Sequence, residues 1–161
     1  MKKKTYLSSG IYLINKRFNK NEYYHFFQEP NNVIFVPVID NKFILVKQKR
    51  EPINQENFEF PMGWIDKNET AIVAANRELY EETGFKSIVK PKKLITFFAD
   101  PGRGNRICEA FYSKMLIKIK NPEKGIKIFF KNKFQIINMI KKRKFNNASH
   151  IAVFFYYLNK F

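Results

Sequence analysis

Residues 63–85 read GWIDKNETAIVAANRELYEETGF. Within this stretch Ala71, Ala74, Ala75 and Leu79 recur at helical spacing, which predicts a helix with one apolar side. Gly84 falls where such a helix ends, at the position that favours a residue tolerant of positive φ. Glu78 and Glu82 share a face of this helix, one turn apart, with Glu81 on its edge. Carboxylates at this spacing repel, so the cluster stabilises a helix only with a cation on it. Oxygen-rich clusters of this kind suit Mg²⁺ or Mn²⁺. A plainer reading of the same residues is a solvated acidic face on which Arg77 pairs with Glu81.

The spacing is what separates the two readings. Five residues lie between Gly63 and Glu69, and seven between Glu69 and Arg77. Arg77-Glu78-Leu79-Tyr80-Glu81-Glu82-Thr83-Gly84-Phe85 follows. Gly63, Glu69, Arg77, Glu78, Glu81, Glu82 and Gly84 occupy every fixed position of the Nudix box, and Leu79 and Phe85 fill its apolar slots. The chain therefore resembles the Nudix hydrolases, closely over residues 63–85 and more loosely over most of its length. The resemblance implies an α/β (α+β) fold, a mixed β-sheet sandwiched between helices, as a single domain over 1–161. It implies a metal site in which Glu78 and Glu82 hold Mg²⁺ (or Mn²⁺), with Glu81 and the backbone carbonyl of Met62 assisting. Arg77 would tie the helix to the loop at Glu69. The base for the attacking water would be Glu123 or a box glutamate, Glu81 or Glu82.

Several flanking residues extend the resemblance. Glu59-Phe60-Pro61-Met62-Gly63 is similar to the E-x-P-A-G lead-in of the ADP-ribose pyrophosphatases, with Met62 in place of Ala. Gln48-Lys49-Arg50 is similar to a Gln-x-Arg strand end whose Arg contacts substrate phosphate, and the planar guanidinium of Arg50 suits phosphate oxygens. A surface basic cluster is the alternative for the same residues. Fifteen residues separate Phe85 from Pro101, the offset that marks the ADP-ribose subgroup. Pro101-Gly102 is also an ordinary turn signal, and Arg103 and Arg106 flanking it would meet phosphate or ribose or stand as solvated loop charges. Glu123 is the one acidic residue after Glu109, in a loop where relatives carry a glutamate. Phe145-Asn146-Asn147-Ala148 resembles the F-N-x-A turn of relatives acting on ADP-containing compounds.

Length and composition bound the remaining choices. The 161 residues suffice for one domain with a sizeable core, and 45% hydrophobic content supports a globular fold. A net charge of +16 favours polyanionic ligands and leaves nucleic acid open as a partner. Joint enrichment in Lys, Asn, Ile and Phe is the pattern of a compositional bias, however, so the charge alone names no partner. Cys108 has no second cysteine to bond with, which fits a reducing compartment. The stretch after the N-terminal MKKK is too polar and short for a signal peptide, and Ile151–Leu158 is too short to span a bilayer. A soluble, cytoplasmic protein is expected.

Taken in order, residues 1–30 suggest strands at Thr5–Asn15 and Glu22–Gln28. In the resembled family such an N-terminal sheet helps form a homodimer and the substrate pocket. Tyr23, Tyr24, Phe26 and Phe27 would stack on a base or pack on the sheet. Val33–Ile39 reads as a doubly buried strand, Asp40-Asn41 as a turn and Phe43–Val46 as its return. Glu51–Glu59 reads as a polar loop. Ser87–Val89, Leu94–Phe98, Ile107–Ile119 and Ile126–Phe130 read as strands. Lys133–Arg143, with Phe134, Ile137 and Ile140 apolar, and Ala148–Asn159, with Ile151, Ala152, Phe155 and Leu158, read as amphipathic helices. His25 and His150 have no ligand spacing and read as surface or packing residues.

The reaction expected is hydrolysis of a nucleoside diphosphate linked to another moiety, with ADP-ribose the first choice. NADH, diadenosine polyphosphates and GDP-mannose are alternatives within the same chemistry. An RNA 5′-pyrophosphohydrolase and an inactive binding module are more distant ones.

Overall fold

The structure, a computed structural model, describes residues 2–20 and 22–161. Met1 and Asn21, both within the expected N-terminal arm, lie outside the described residues. A meander of β1 (Lys2–Ser8), β2 (Ile11–Arg17) and β3 (Tyr23–Gln28) forms a separate three-stranded sheet. The expected strand Thr5–Asn15 is thus two strands. Ser9 and Gly10 take positive φ between them and turn the chain back.

The central sheet is built on β4 (Asn32–Ile39) and β5 (Lys42–Arg50), joined by a tight turn with Asp40 and Asn41 both at positive φ. β4 runs parallel to β10 (Ile107–Ser113), which pairs antiparallel with β9 (Lys92–Phe98), and β12 (Lys127–Lys131) lies on the outer side of β5. The sheet is mixed, as expected. It lies between α1 (Ala71–Thr83) on one face and α2 (Lys133–Lys141) with α3 (Ala148–Lys160) on the other. Alternation along β4 explains this. Val33 and Phe35 pack with Ala74, Ala75 and Leu79 of α1, while Ile34, Val36 and Val38 pack with Ile136, Val153, Phe154 and Tyr157.

β4 and β5 pair only next to their turn, at Val38–Phe43 and Ile39–Lys42, and then diverge. β6 (Gln55–Glu59) pairs with β5 on one arm of this fork, and β7 (Met62–Trp64) pairs with β4 on the other. The region expected to be a polar loop is therefore a 3₁₀ turn, Glu51–Ile53, followed by β6. Asn54 in the left-handed region allows the reversal, and the ladder from Val46–Glu59 to Arg50–Gln55 holds it. Residues 60 and 61 cross the fork between β6 and β7.

Three other expectations are corrected. Ile107–Ile119 breaks after Ser113, whose hydroxyl accepts from Met115 N–H, and β11 (Leu116–Lys118) leaves to pair with β8 (Phe85–Ser87). In α2, Ile136 is the buried residue, and Phe134 points outward at 70% exposure. In α3 the buried face is His150, Val153, Phe154 and Tyr157, so Phe155 and Ala152 face outward. Among the described residues no helix is long and apolar enough to cross a membrane.

Candidate active site

α1 carries the acidic face. It starts after Thr70 and ends at Gly84, which takes φ 72° and donates its N–H to the Tyr80 carbonyl. A Cβ at Gly84 would stand 2.0 Å from the Lys120 carbonyl, so the following loop closes over a bare backbone. Arg77 ties the helix to the lead-in. Its guanidinium donates to Glu69 at 2.9 and 3.0 Å, to the Trp64 carbonyl at 2.9 Å, to Glu78 at 2.6 Å and to Glu81 at 3.2 Å. The Arg77 bonds hold Glu69 below the usual carboxylate range, and the Glu69 bonds raise the Arg77 pKa further.

Glu82 is buried and faces the fork. Its carboxylate accepts from Met62 N–H at 3.1 Å and from Gln48 Nε2 at 3.3 Å. Burial, with the Glu78 charge adding to it, pushes its pKa up to about 8. Burial also raises Glu78 despite Arg77, with Glu81 and Glu69 contributing repulsion. Gly63 is the reason Glu78 fits: a Cβ there would fall 1.9 Å from Glu78 Oε1. Two carboxyls held above their ordinary range beside a bare glycine backbone are the donor chemistry of a hard-cation site. The side chains as they stand do not form a cage. Among the described residues no three His, Cys, Asp or Glu groups converge at metal-binding distance. Arg77 holds Glu78 and Glu81, and Glu82 turns to Met62 N–H.

Arg50, at the end of β5, donates from Nε and Nη2 to Glu59, a side chain only 1% exposed. Asn57 Nδ2 donates to the same carboxylate at 3.0 Å. Burial raises Glu59, but the Arg50 and Asn57 bonds outweigh it and hold its pKa low. The fork of Arg50 is thus spent largely on protein, with Nη1 outside these bonds. Gln48, a substrate-binding candidate, donates to Glu82 at 3.3 Å and so stands beside the box carboxylates. Glu123 N–H donates to the Glu81 carbonyl at 3.1 Å, which sets its loop against the end of α1 with its side chain exposed. Pro101, Gly102 and Arg103 form an exposed turn whose bonds run to the N-terminal sheet. Tyr24 Oη donates to the Gly102 carbonyl, and Phe27 N–H to the Arg103 carbonyl, both at 2.8 Å.

Two contributors escaped the sequence reading, Asn57 and His150. His150 is fully buried, accepts from Phe60 N–H at 3.0 Å and lies 3.0 Å from Met62 Sδ. Its signal was its phase: His150, Val153, Phe154 and Tyr157 follow the i, i+3, i+4, i+7 pattern of a buried helix face.

A family model described as the NUDIX domain matches residues 28–129, which include the fork, α1 and the loop at Glu123. The chain belongs to the NUDIX family. Among NUDIX relatives it is 36% identical over 90 residues to an ADP-ribose pyrophosphatase from Bacillus subtilis, covering 55% of this chain and 48% of that protein. It is 37% identical over 82 residues to a methanol dehydrogenase activator from Bacillus methanolicus, covering 51% of this chain and 44% of that protein. The match thus spans just under half the length of either relative. A crystal structure of an ADP compounds hydrolase superposes with a TM-score of 0.79 at 19% identity, over 98% of this chain and 92% of that one, a likeness of fold.

Proposed function

We propose that this NUDIX domain hydrolyses a nucleoside diphosphate linked to another moiety, ADP-ribose first, giving AMP and ribose 5-phosphate. The observation that carries the reading is the Met62 N–H bond to Glu82, which locks the ADP-ribose-type lead-in onto the box carboxylates. The identity to ADP-ribose pyrophosphatases supports it, including 39% over 67 residues of one from Methanocaldococcus jannaschii.

In the reaction a water oxygen bonds to one phosphorus as the bridging P–O bond breaks, and the water proton passes to a carboxylate. A divalent ion, Mg²⁺ or Mn²⁺, would supply charge neutralisation of the diphosphate and acidify water. Glu78 and Glu82 would hold it, with Glu81 and the Met62 carbonyl beside them. Arg50, held in orientation by Glu59, would offer Nη1 to phosphate. Pro101, Gly102 and Arg103 would border the second ribose, and Glu123 or a box glutamate would take the proton. A broader ADP-compound hydrolase is the second reading, favoured by 40% identity over 53 residues to an ADP compounds hydrolase of Escherichia coli.

β1 is exposed along its length, and Tyr6, Leu7 and Tyr23 are open, so we assign the N-terminal sheet to a homodimer contact. The single buried thiol, Cys108, fits a cytoplasmic setting.

The test is competitive. With Mg²⁺, kcat/KM is measured for ADP-ribose, NADH, diadenosine triphosphate, GDP-mannose, 8-oxo-dGTP and triphosphorylated RNA. ADP-ribose is expected to rank first. A higher value for RNA or 8-oxo-dGTP removes the substrate assignment.

A further inference from the structure

We propose that His150 is a positioning residue: from α3 it clamps the Phe60–Met62 segment through the fork in the sheet and so sets the Met62 amide against Glu82. The inference rests on the reading of Glu82 as a working carboxylate.

The tautomer follows from the bonds. Phe60 N–H donates to Nδ1 at 3.0 Å, so Nδ1 carries no proton. A ring that accepts at Nδ1 is neutral and carries its one proton on Nε2. Nε2 lies 3.0 Å from Met62 Sδ and 3.8 Å from Glu59 Oε2. The thioether is therefore the acceptor, and the carboxylate lies beyond hydrogen-bond reach. The ring thus grips residues 60 and 62 on either side of Pro61. The Pro61 carbonyl meanwhile accepts from Phe35 N–H of β4 at 2.9 Å.

The fork makes this grip felt across the sheet. Phe60 and Met62 pack with the core on the α3 side. Glu82 stands on α1, beneath the opposite face, and takes the Met62 N–H. Met62 is held from both faces at once. Alanine, which the resembled lead-in carries here, would give Nε2 no acceptor. The Met62 side chain therefore points into the clamp while its amide faces Glu82.

The experiment uses the full chain with His150→Gln and Met62→Leu. The first removes the ring that spans both partners; the second removes the sulfur at nearly constant volume. Amide resonances are read in the absence of nucleotide, at Met62 for His150→Gln and at Phe60 for Met62→Leu. Both are expected to move. With ADP-ribose and Mg²⁺, kcat of His150→Gln should fall about tenfold or more with KM within about threefold, and Met62→Leu should show a smaller fall of the same kind. A lower Tm with unmoved amides and unchanged kcat per folded molecule overturns the proposal. If His150→Gln does not fold, Met62→Leu decides by the same readings. A wild-type protein that fails to turn over ADP-ribose defeats the proposed substrate, and the amide shifts of the variants still decide the clamp.

Discussion

The Glu78 carboxylate lies against the backbone of Gly63 so closely that a Cβ there would sit 1.9 Å from Oε1 and 2.4 Å from Oε2. The obstacle is the far end of a flexible side chain, which can move aside.

Gly63→Ala should therefore separate stability from activity. The displaced carboxylate costs the fold little, roughly 1 kcal/mol, because no backbone need shift. The same displacement removes Glu78 from the site, and kcat should fall about 100-fold, as for loss of a positioned catalytic group. Thermal unfolding and steady-state kinetics on one preparation check both. Wild-type kcat in this variant would mean that Glu78 does not work where it stands.

Glu82 gives a pH signature in the metal-free protein. Its folded pKa is about 8 against an ordinary value of 4.5. A carboxyl raised in this way stabilises the fold fully below its unfolded pKa, and that contribution is lost as pH rises through the folded value. In EDTA, the Glu82 contribution is lost between about pH 4.5 and pH 8. Neutral buried His150, lowered to about 4 from 6.5, adds stability as pH rises to 6.5. The net decline should therefore fall between about pH 6.5 and pH 8. Raised Glu78 acts in the same direction; lowered Glu59 and Glu69 act below this window. Glu82→Gln should flatten most of the slope while cutting kcat about 100-fold. An unchanged slope in denaturant titrations of the variant refutes the assignment.

Mg²⁺ or Mn²⁺ should raise Tm most above pH 8, where Glu82 is ionised. Binding to the native state alone adds about 2.7 kcal/mol at a hundredfold excess over Kd. Turnover should vanish in excess EDTA and return with the ion. Full turnover after exhaustive chelation sinks the metal reading.

Arg50→Ala should be costly for a reason apart from substrate. It leaves Glu59, 1% exposed, as a buried charge without its main partner. A loss of about 3–5 kcal/mol is expected. Adding Glu59→Gln neutralises the stranded charge, so the double variant should be the more stable of the two in urea unfolding. Additive losses would show that the pair is not coupled.

The sequence exposed the box helix and its carboxylates because their meaning is local: spacing along one helix decides it. The doubly buried β4 was legible for the same reason, as an unbroken apolar run. β6 was not, because Gln55-Glu56-Asn57 carries no strand pattern and forms a strand only by pairing with β5. The phase of α3 was misread because its surface is apolar almost all round. Phe155 and Tyr156 are aromatic and exposed, and only the packed sheet shows which side turns inward. Arg50 illustrates the limit at the site. Its chemistry was evident, but the choice of Glu59 as partner depends on a hairpin that sequence did not reveal.

The bond from Phe60 N–H to His150 joins residues 90 apart in the chain. On a ribosome, the acidic helix and its glycine have emerged well before α3 has been made. Such a nascent chain holds every box carboxylate, yet nothing from α3 braces residues 60–62. Contacts this remote are made late and slowly, since the loop must close before they reward it. The face that carries the box carboxylates is therefore braced by a segment made well after it, and a ribosome stalled before residue 150 would display the motif without its brace.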